Sequence, residues 1–232
     1  MIAHKNIFFK GAFLMAGFLI VLFMMFMPIF NGHHAINAMD NLYNSISKGS
    51  AYYIPGLIKD TEQYKDNNIA VDFNLKSAEM AAEAMQIINT TGAKAIQNDV
   101  NVAVEGNLGA ILQSALSDAD VMFANDGKKL KEKYGYDESY DEKKVLYNWW
   151  NILKGINKSL TKQERFAEAK FVNNIMTRSV ECSYNYYKVP AEKIKDKAGI
   201  VVFSLVFYVI YTMWFGFSIM FLFEGWGMKL SH

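Results

Sequence analysis

Acidic and basic residues are missing from two long parts of the sequence. No Asp, Glu, Lys or Arg occurs in residues 11–39 or in residues 198–223. A transmembrane helix needs about 20 predominantly apolar residues to cross roughly 30 Å of hydrocarbon, so both stretches are long enough. A soluble globular protein has no use for two such stretches. We therefore expect two transmembrane helices, at residues 7–30 and 198–223.

Other scarce features narrow the class of protein further. Three prolines and a 15% share of aromatic residues exclude collagen-like and disordered chains. The net charge is only +1 and the two signs are interspersed, so the sequence predicts no nucleic-acid partner. The single cysteine, Cys182, excludes an internal disulfide, and it is either a small buried residue or a reactive or intermolecular thiol.

The flanking charges predict an orientation in the membrane. Lys5 and Lys10 precede the first apolar stretch, whereas the next lysine after it is Lys48. Because positive flanks stay in the cytoplasm, we expect a cytoplasmic N-terminus, although Lys193, Lys195 and Lys197 favour the opposite orientation. The first stretch exceeds a signal-peptide core, so we expect an uncleaved anchor. The predicted layout in a bacterial inner membrane has cytoplasmic ends at residues 1–6 and 224–232 and a periplasmic domain at residues 31–197.

The residues between the two stretches predict an all-α fold. Their apolar positions recur mostly at intervals of three and four, which is the helical period. One such stripe starts at Leu75 and reaches Ile88, and a second runs through Ile96, Val100, Val104, Leu108 and Ile111. Further helices are expected from about Glu142 and after Thr161. We therefore predict a bundle of four or more helices between two transmembrane helices.

Histidine is too scarce to support the common catalytic and metal-binding motifs. The four histidines form no HExxH or CxxCH motif, and none lies between residues 35 and 231. Nucleophilic catalysis would also need a base beside Ser or Cys. We predict no catalytic residues, no cofactor, no metal site and no enzymatic activity. Two metal-binding alternatives stay open, one at His33 and His34 and a soft-metal site at Met24, Met25 and Met27.

Two groups of residues are candidates for contacts. Small and hydroxyl-bearing residues suit helix packing in a bilayer, and the predicted contact face comprises Ala12, Ala16, Gly17, Ser204, Tyr208, Thr212 and Gly216. Adjacent tryptophans diverge by about 100° on a helix, so one of them must leave the buried face. Arginine suits carboxylate recognition. The predicted partner or ligand contact is therefore Tyr147, Trp149, Trp150 and Arg178.

The order of a short head, a span, a helical outer domain and a second span resembles the sensory half of bacterial chemoreceptors and related kinases. The sequence departs from that pattern because only residues 224–232 follow the second stretch, so we expect no signalling domain. The first hypothesis is a non-enzymatic accessory or scaffold subunit that contacts the lipid bilayer and other membrane protein subunits or copies of itself. The alternative is an extracytoplasmic sensor module that binds a small molecule and signals through a separate protein.

Overall fold

The computed structural model describes residues 2–30 and 32–228. The chain is mostly helical, and the described residues include one small three-stranded sheet. In chain order the elements are α1 (Lys5–Met25), α2 (Ala35–Ser50), α3 (Ile54–Thr61), a 3₁₀ turn (Glu62–Tyr64), β1 (Asn68–Asn74), α4 (Ala78–Asn89), β2 (Lys94–Asn98), β3 (Asn101–Asn107), α5 (Leu108–Phe123), α6 (Gly127–Tyr134), α7 (Lys143–Lys162), α8 (Phe166–Ile175), a π-helical segment (Met176–Val180), α9 (Glu181–Asn185) and α10 (Ile194–Trp226).

The chain divides into two compact units. Unit 1 comprises Met1–Gly49 and Ala191–His232, and unit 2 comprises Ser50–Pro190. Unit 1 contains both of the helices that are long and apolar enough to cross a membrane, α1 with 21 residues and α10 with 33. At 1.5 Å per residue these helices are about 32 and about 50 Å long. Two candidate membrane-spanning helices are therefore present, as the charge-free stretches predict, although α1 ends at Met25 rather than at residue 30 and α10 extends beyond residues 198–223 at both ends.

Glycines let α1 and α10 pack closely as an antiparallel pair. A Cβ atom added to Gly11 would lie 2.7 Å from the backbone nitrogen of Leu222, and one added to Gly225 would lie 2.5 Å from the backbone of Phe8. No larger residue fits at either position without moving a backbone. Helix α1 ends ahead of Pro28, whose ring fixes φ and removes a backbone donor, and the chain turns before α2 begins.

Unit 2 is organised around α5, which is buried along most of its length. Helices α3, α6 and α9 contact α5, and α7 packs against both α8 and β1. Helix α7 buries one face, on which apolar residues recur every three or four positions, and leaves the other face to solvent. One hydrophobic core therefore joins the helices to the sheet; on α7 it includes Leu146, Trp149, Leu153, Ile156 and Leu160.

The sheet shows that the all-α prediction was wrong for the three strands, residues 68–74, 94–98 and 101–107, whereas the helix predicted between the first two of them is present as α4. The strand order is β1-β3-β2, and both pairs of neighbours are antiparallel. Ile69, Val71 and Phe73 on β1 are buried, whereas the residues between them are exposed. This period of two is the pattern of a strand with one buried face, and the branched and aromatic residues favour it.

The predicted second helical stripe is divided between the hairpin and α5. Ile96 lies on β2, Val104 lies on β3, and a two-residue loop at Asp99 and Val100 joins the strands. A spacing of four residues is close to one helical turn and is also two strand repeats, so the valines fit either structure. Only from Leu108 onward does the chain form the predicted helix.

Candidate functional site

Four lysines surround a groove on the surface of unit 2. We call it the lysine groove, after Lys76, Lys154, Lys158 and Lys162. It has a volume of about 390 Å³ and lies between α7 on one side and β1 with the start of β3 on the other. The remaining lining residues are Asp72, Phe73, Asn74, Leu75, Asn101, Asn151, Gly155 and Ser159.

Helix α7 places three of the lysines in a row. Lys154, Lys158 and Lys162 are four residues apart and exposed, so they follow one side of the helix at about 6 Å per step. The opposite side of α7 is anchored in the core. Lys76 follows β1 in the sequence and completes the group across the groove. These cations are therefore gathered by the fold from two distant parts of the chain.

A close approach between α7 and β1 forms the floor of the groove. A Cβ atom on Gly155 would overlap the ring of Phe73, which is buried. The glycine therefore allows β1 to lie directly against α7. Because the neighbouring lysines are on the same helix, this contact also fixes their distance from the strand.

Aromatic residues hold two of the lysines in place. The Lys76 ammonium donates a 2.8 Å hydrogen bond to the Tyr147 hydroxyl, and this bond holds the pKa of Tyr147 below its ordinary value of 10. The Lys154 ammonium lies 4.6 Å from the ring centre of Trp150, which is a cation–π distance. Within residues 2–30 and 32–228, none of the four ammonium groups has an acidic side chain within 4.0 Å, so their charge is not neutralised by ion pairs.

Trp149 lies in the core, where it takes part in a buried polar cluster. Its indole Nε1 donates a 2.7 Å hydrogen bond to Asp118 on α5. Asp118 is also bound by the Lys133 ammonium at 2.5 Å and by the Tyr134 hydroxyl, both from α6. Burial and the neighbouring Asp118 carboxylate raise the pKa of Tyr134. The cluster satisfies a carboxylate that is 1% exposed, and it joins three helices.

The four residues predicted as a partner or ligand contact are not brought together. Tyr147 and Trp150 lie beside the lysine groove, and Trp149 is in the core. Arg178 belongs to the π-helical segment and lines a different groove of about 470 Å³ that also contains Tyr64 and Phe171. Its guanidinium carbon lies 5.5 Å from the ring centre of Tyr53. The four residues therefore lie in three places: beside the lysine groove, in the hydrophobic core and in a second groove.

The predicted helix-contact face is divided in a similar way. A Cβ atom on Gly17 would lie 2.9 Å from the Trp214 ring, and Ser204 shares a 2.6 Å hydrogen bond with Tyr43 of α2. Ala12 is half-buried, and the remaining members of the predicted face, Ala16, Tyr208, Thr212 and Gly216, are exposed. Within unit 1 the α1–α10 contact instead uses residues around Gly11, Phe18, Tyr211, Trp214 and Ser218.

One indole and one phenol of α10 donate hydrogen bonds to the backbone of α1. Trp214 donates a 2.9 Å hydrogen bond from Nε1 to the backbone oxygen of Leu14, and the Tyr211 hydroxyl donates a 3.3 Å bond to that of Phe18. Each bond satisfies a polar side-chain donor on a helix that is otherwise largely apolar.

The metal-binding alternative at His33 and His34 has no supporting cluster of His, Cys or acidic side chains in the part of the chain that the structure describes. Among residues 2–30 and 32–228, no group of three or more His, Cys, Asp or Glu side chains is placed to hold a metal ion. His33 and His34 are exposed, and the neighbouring methionines lie at the end of α1 and in the turn after it. His232 lies outside the described residues. Cys182 is half-buried, with its Sγ 3.8 Å from the backbone oxygen of Ala51.

The lysine groove was not predicted from the sequence because its lysines come from separate parts of the sequence. The spacing of Lys154, Lys158 and Lys162 was the available signal, since a helix puts residues four apart on one side. Lys76 could not be assigned without the fold. Comparison with known protein families, with curated proteins and with solved structures gives no significant match. Functional proposals therefore depend on the geometry of this chain.

Proposed function

We propose that the chain is a non-enzymatic integral membrane protein that serves as an accessory or scaffold subunit. In this proposal α1 and α10 cross a bacterial inner membrane, and unit 2 lies in the periplasm. The two long apolar helices support membrane insertion. Lys5 and Lys10, which precede the first apolar stretch, support the cytoplasmic N-terminus.

One observation carries the subunit proposal, and it is the uncovered stripe on α10. Tyr208, Thr212 and Gly216 are one helical turn apart and are exposed in unit 1. Tyr208 has 68% of its surface exposed, and a Cβ atom on Gly216 would meet no atom within 4 Å. In a bilayer, small and hydroxyl-bearing residues favour contacts between helices, whereas lipid tails interact equally well with purely aliphatic side chains. The stripe suits another transmembrane helix.

Gentle solubilisation from the native membrane, followed by sizing and mass spectrometry, tests the subunit proposal. We expect stoichiometric recovery with other membrane subunits or as a homo-oligomer. Gly216→Val should reduce that recovery, because the added side chain fills the space for the second helix. Val206→Leu is the matched control on another exposed side of α10. Recovery of the wild-type protein as a lone monomer at native abundance would contradict the proposal.

Labelling of introduced cysteines tests the proposed orientation separately. Lys128 is 79% exposed on unit 2, and Lys5 is exposed at the start of α1. Both variants carry Cys182→Ser, so that the introduced cysteine is the one thiol of the chain. In cells with a permeabilised outer membrane, an impermeant maleimide should label Lys128→Cys but not Lys5→Cys. The reverse pattern would invert the orientation, and labelling of both variants would contradict a membrane-crossing α1. Lysis in detergent should make both variants reactive.

The lysine groove favours a second function, a ligand-binding sensor module that signals through a separate protein. A concave site of about 390 Å³ with unneutralised cations is of a size that suits a small ligand. A thermal-shift screen of small solutes should find an anionic compound that stabilises the wild-type protein. The same compound should stabilise Lys154→Gln/Lys158→Gln less. A screen without any stabilising compound would contradict this second function.

A further inference from the structure

We propose that the lysine groove binds a phosphate-bearing polyanion. The inference deepens the ligand-binding function and rests on it. It follows from the charge in the groove, the chemistry of its donors and the rigidity of its walls.

The charge of the groove is strongly positive. Four ammonium groups line it, and Asp72 is the one carboxylate among the lining residues. The sequence as a whole carries a net charge of only +1, so the fold has concentrated positive charge at this place. Like charges in a concave, partly shielded site attract anions more strongly than separate surface lysines do.

The charge of the donors favours phosphate over carboxylate. Both arginines of the sequence lie elsewhere: Arg165 binds Glu168 and Asn67, and Arg178 lines the other groove. The arginine fork matches carboxylate and phosphate alike, whereas a lysine ammonium acts as a point charge. A phosphate monoester carries a charge of about −1.5 to −2 at pH 7, against −1 for a carboxylate, so it neutralises clustered ammonium groups better. The groove therefore presents clustered point charges, for which the more highly charged phosphate group is the better match.

The spacing of the cations favours a ligand with more than one negative group. Lys154, Lys158 and Lys162 extend over about 12 Å along α7, at 1.5 Å per residue. A single phosphate can contact neighbouring members of this row but cannot reach its full length. Lys76 approaches from the opposite wall, so a chain of phosphates can be bound from both sides.

The walls of the groove are held in place before any ligand arrives. The side chains of Tyr147 and Trp150 restrain Lys76 and Lys154, and the contact of Gly155 with Phe73 fixes the strand against the helix. Restrained lysines lose less conformational freedom on binding than free ones, which increases affinity. The same chemistry would recognise either a soluble oligophosphate or the phosphate headgroup of a lipid.

Calorimetry on the full-length protein in neutral detergent tests the inference. The probes are inorganic tripolyphosphate, citrate, and the short-chain lipids dihexanoyl phosphatidic acid and dihexanoyl phosphatidylcholine. We expect one tripolyphosphate to bind per chain, with an affinity that falls between about 50 and about 200 mM salt because the attraction is screened. Lys154→Gln/Lys158→Gln should weaken binding by about tenfold or more. Both lysines are exposed, so the variant should melt at the wild-type temperature.

The matched control is Lys59→Gln/Lys128→Gln, which removes the same charge from exposed positions outside the groove. An equal loss of affinity in this control would overturn the inference, because it would show that tripolyphosphate responds to the overall positive charge of the protein and not to the groove lysines.

The other probes identify the kind of ligand. Phosphatidic acid bound in preference to tripolyphosphate, with the same dependence on groove lysines, would support the inference and identify a lipid headgroup. Citrate binding without phosphate binding would overturn the phosphate inference while the ligand-binding function stands. No binding of any probe would overturn both.

Discussion

Asp118 joins three helices of unit 2 through its side-chain oxygens. It lies on α5 and accepts hydrogen bonds from Lys133 and Tyr134 of α6 and from Trp149 of α7. A buried carboxylate with three donors is well satisfied. Removal of the carboxylate leaves the buried Tyr134 and Trp149 donors without this acceptor, whereas the exposed Lys133 ammonium can bind water. The contribution of this cluster to the free energy of unfolding therefore depends on the Asp118 carboxylate.

We predict that Asp118→Ala lowers the free energy of unfolding by about 2–4 kcal/mol, since it leaves two buried donors, the Tyr134 hydroxyl and the Trp149 indole, without this acceptor. Chemical denaturation of the full-length protein, followed by far-ultraviolet circular dichroism, measures the change. Asp120→Ala on the same helix is the control, because it removes one exposed hydrogen bond with Tyr52 and should cost under about 1 kcal/mol. Equal losses in the two variants would contradict the importance of the buried cluster.

Glu142 is the second acidic residue that is bound from several sides. Its carboxylate accepts a 2.6 Å hydrogen bond from Tyr187 and forms ion pairs with Lys131 at 3.1 Å and Lys188 at 3.3 Å. The bond from Tyr187, helped by the two lysines, lowers the pKa of Glu142 from its ordinary value of 4.5 to about 2. The folded protein therefore prefers the ionised carboxylate.

A pH dependence follows from that shift. Because the folded pKa lies below the unfolded one, the contribution of Glu142 is fully present above pH 4.5 and is lost as the pH falls towards 2. Glu142→Gln should lower the free energy of unfolding at pH 7 by about 1–2 kcal/mol and should flatten its decline between about pH 4.5 and about pH 3. Glu132→Gln, at a 65% exposed side chain, is the control. Parallel acid profiles for wild type and Glu142→Gln would contradict the prediction.

At the scale of elements, the contact between α7 and β1 depends on Gly155. Glycine in the middle of a helix normally costs about 1 kcal/mol relative to alanine, so its presence needs a local reason. The reason is steric, because any Cβ atom there would overlap Phe73. The helix gives up intrinsic stability to approach the strand.

We predict that Gly155→Ala destabilises unit 2 by about 1–3 kcal/mol, because overpacking exceeds the gain in helix propensity. Gly56→Ala in α3 is the matched control, since a Cβ atom there meets no atom within 4 Å. That change should be neutral or should stabilise the protein by up to about 1 kcal/mol. Thermal denaturation distinguishes the two variants. Stabilisation by Gly155→Ala would show that β1 does not lie against α7.

The elements were predictable where apolar residues alternated between spacings of three and four. That alternation occurs in α4, α7 and α8, and it predicts helices there. The hairpin was missed because residues four apart fit both a helix and a strand, and because its partner β1 comes from earlier in the chain. The helix-contact face was predicted from residue type alone and omitted Gly11 and Gly225, at which the backbones of α1 and α10 approach closely. Which side of an apolar helix faces its neighbour depends on packing that residue type does not encode.

At the scale of the molecule, unit 2 has its own hydrophobic core. The core cluster from Ile54 to Val180 lies entirely within Ser50–Pro190, as do the Asp118 and Glu142 clusters. We predict that a fragment of residues 50–190 is soluble, monomeric in gel filtration and unfolds cooperatively, because it retains these interactions. Asp118→Ala in the fragment should reproduce the destabilisation of the full chain. An aggregated fragment without a cooperative transition would contradict the independence of unit 2.

Within unit 1, the end of α2 lies against the segment that precedes α10. The backbone nitrogen of Glu192 donates a 3.0 Å hydrogen bond to the Ser45 oxygen, and Gly49 packs directly against Glu192. The chain thus leaves unit 1 and returns to it at one point, as in a domain inserted into a helical hairpin. Closely spaced ends are where insertions are tolerated. Evolution can therefore lengthen, replace or delete the inserted segment in a single genetic step and leave the hairpin unchanged.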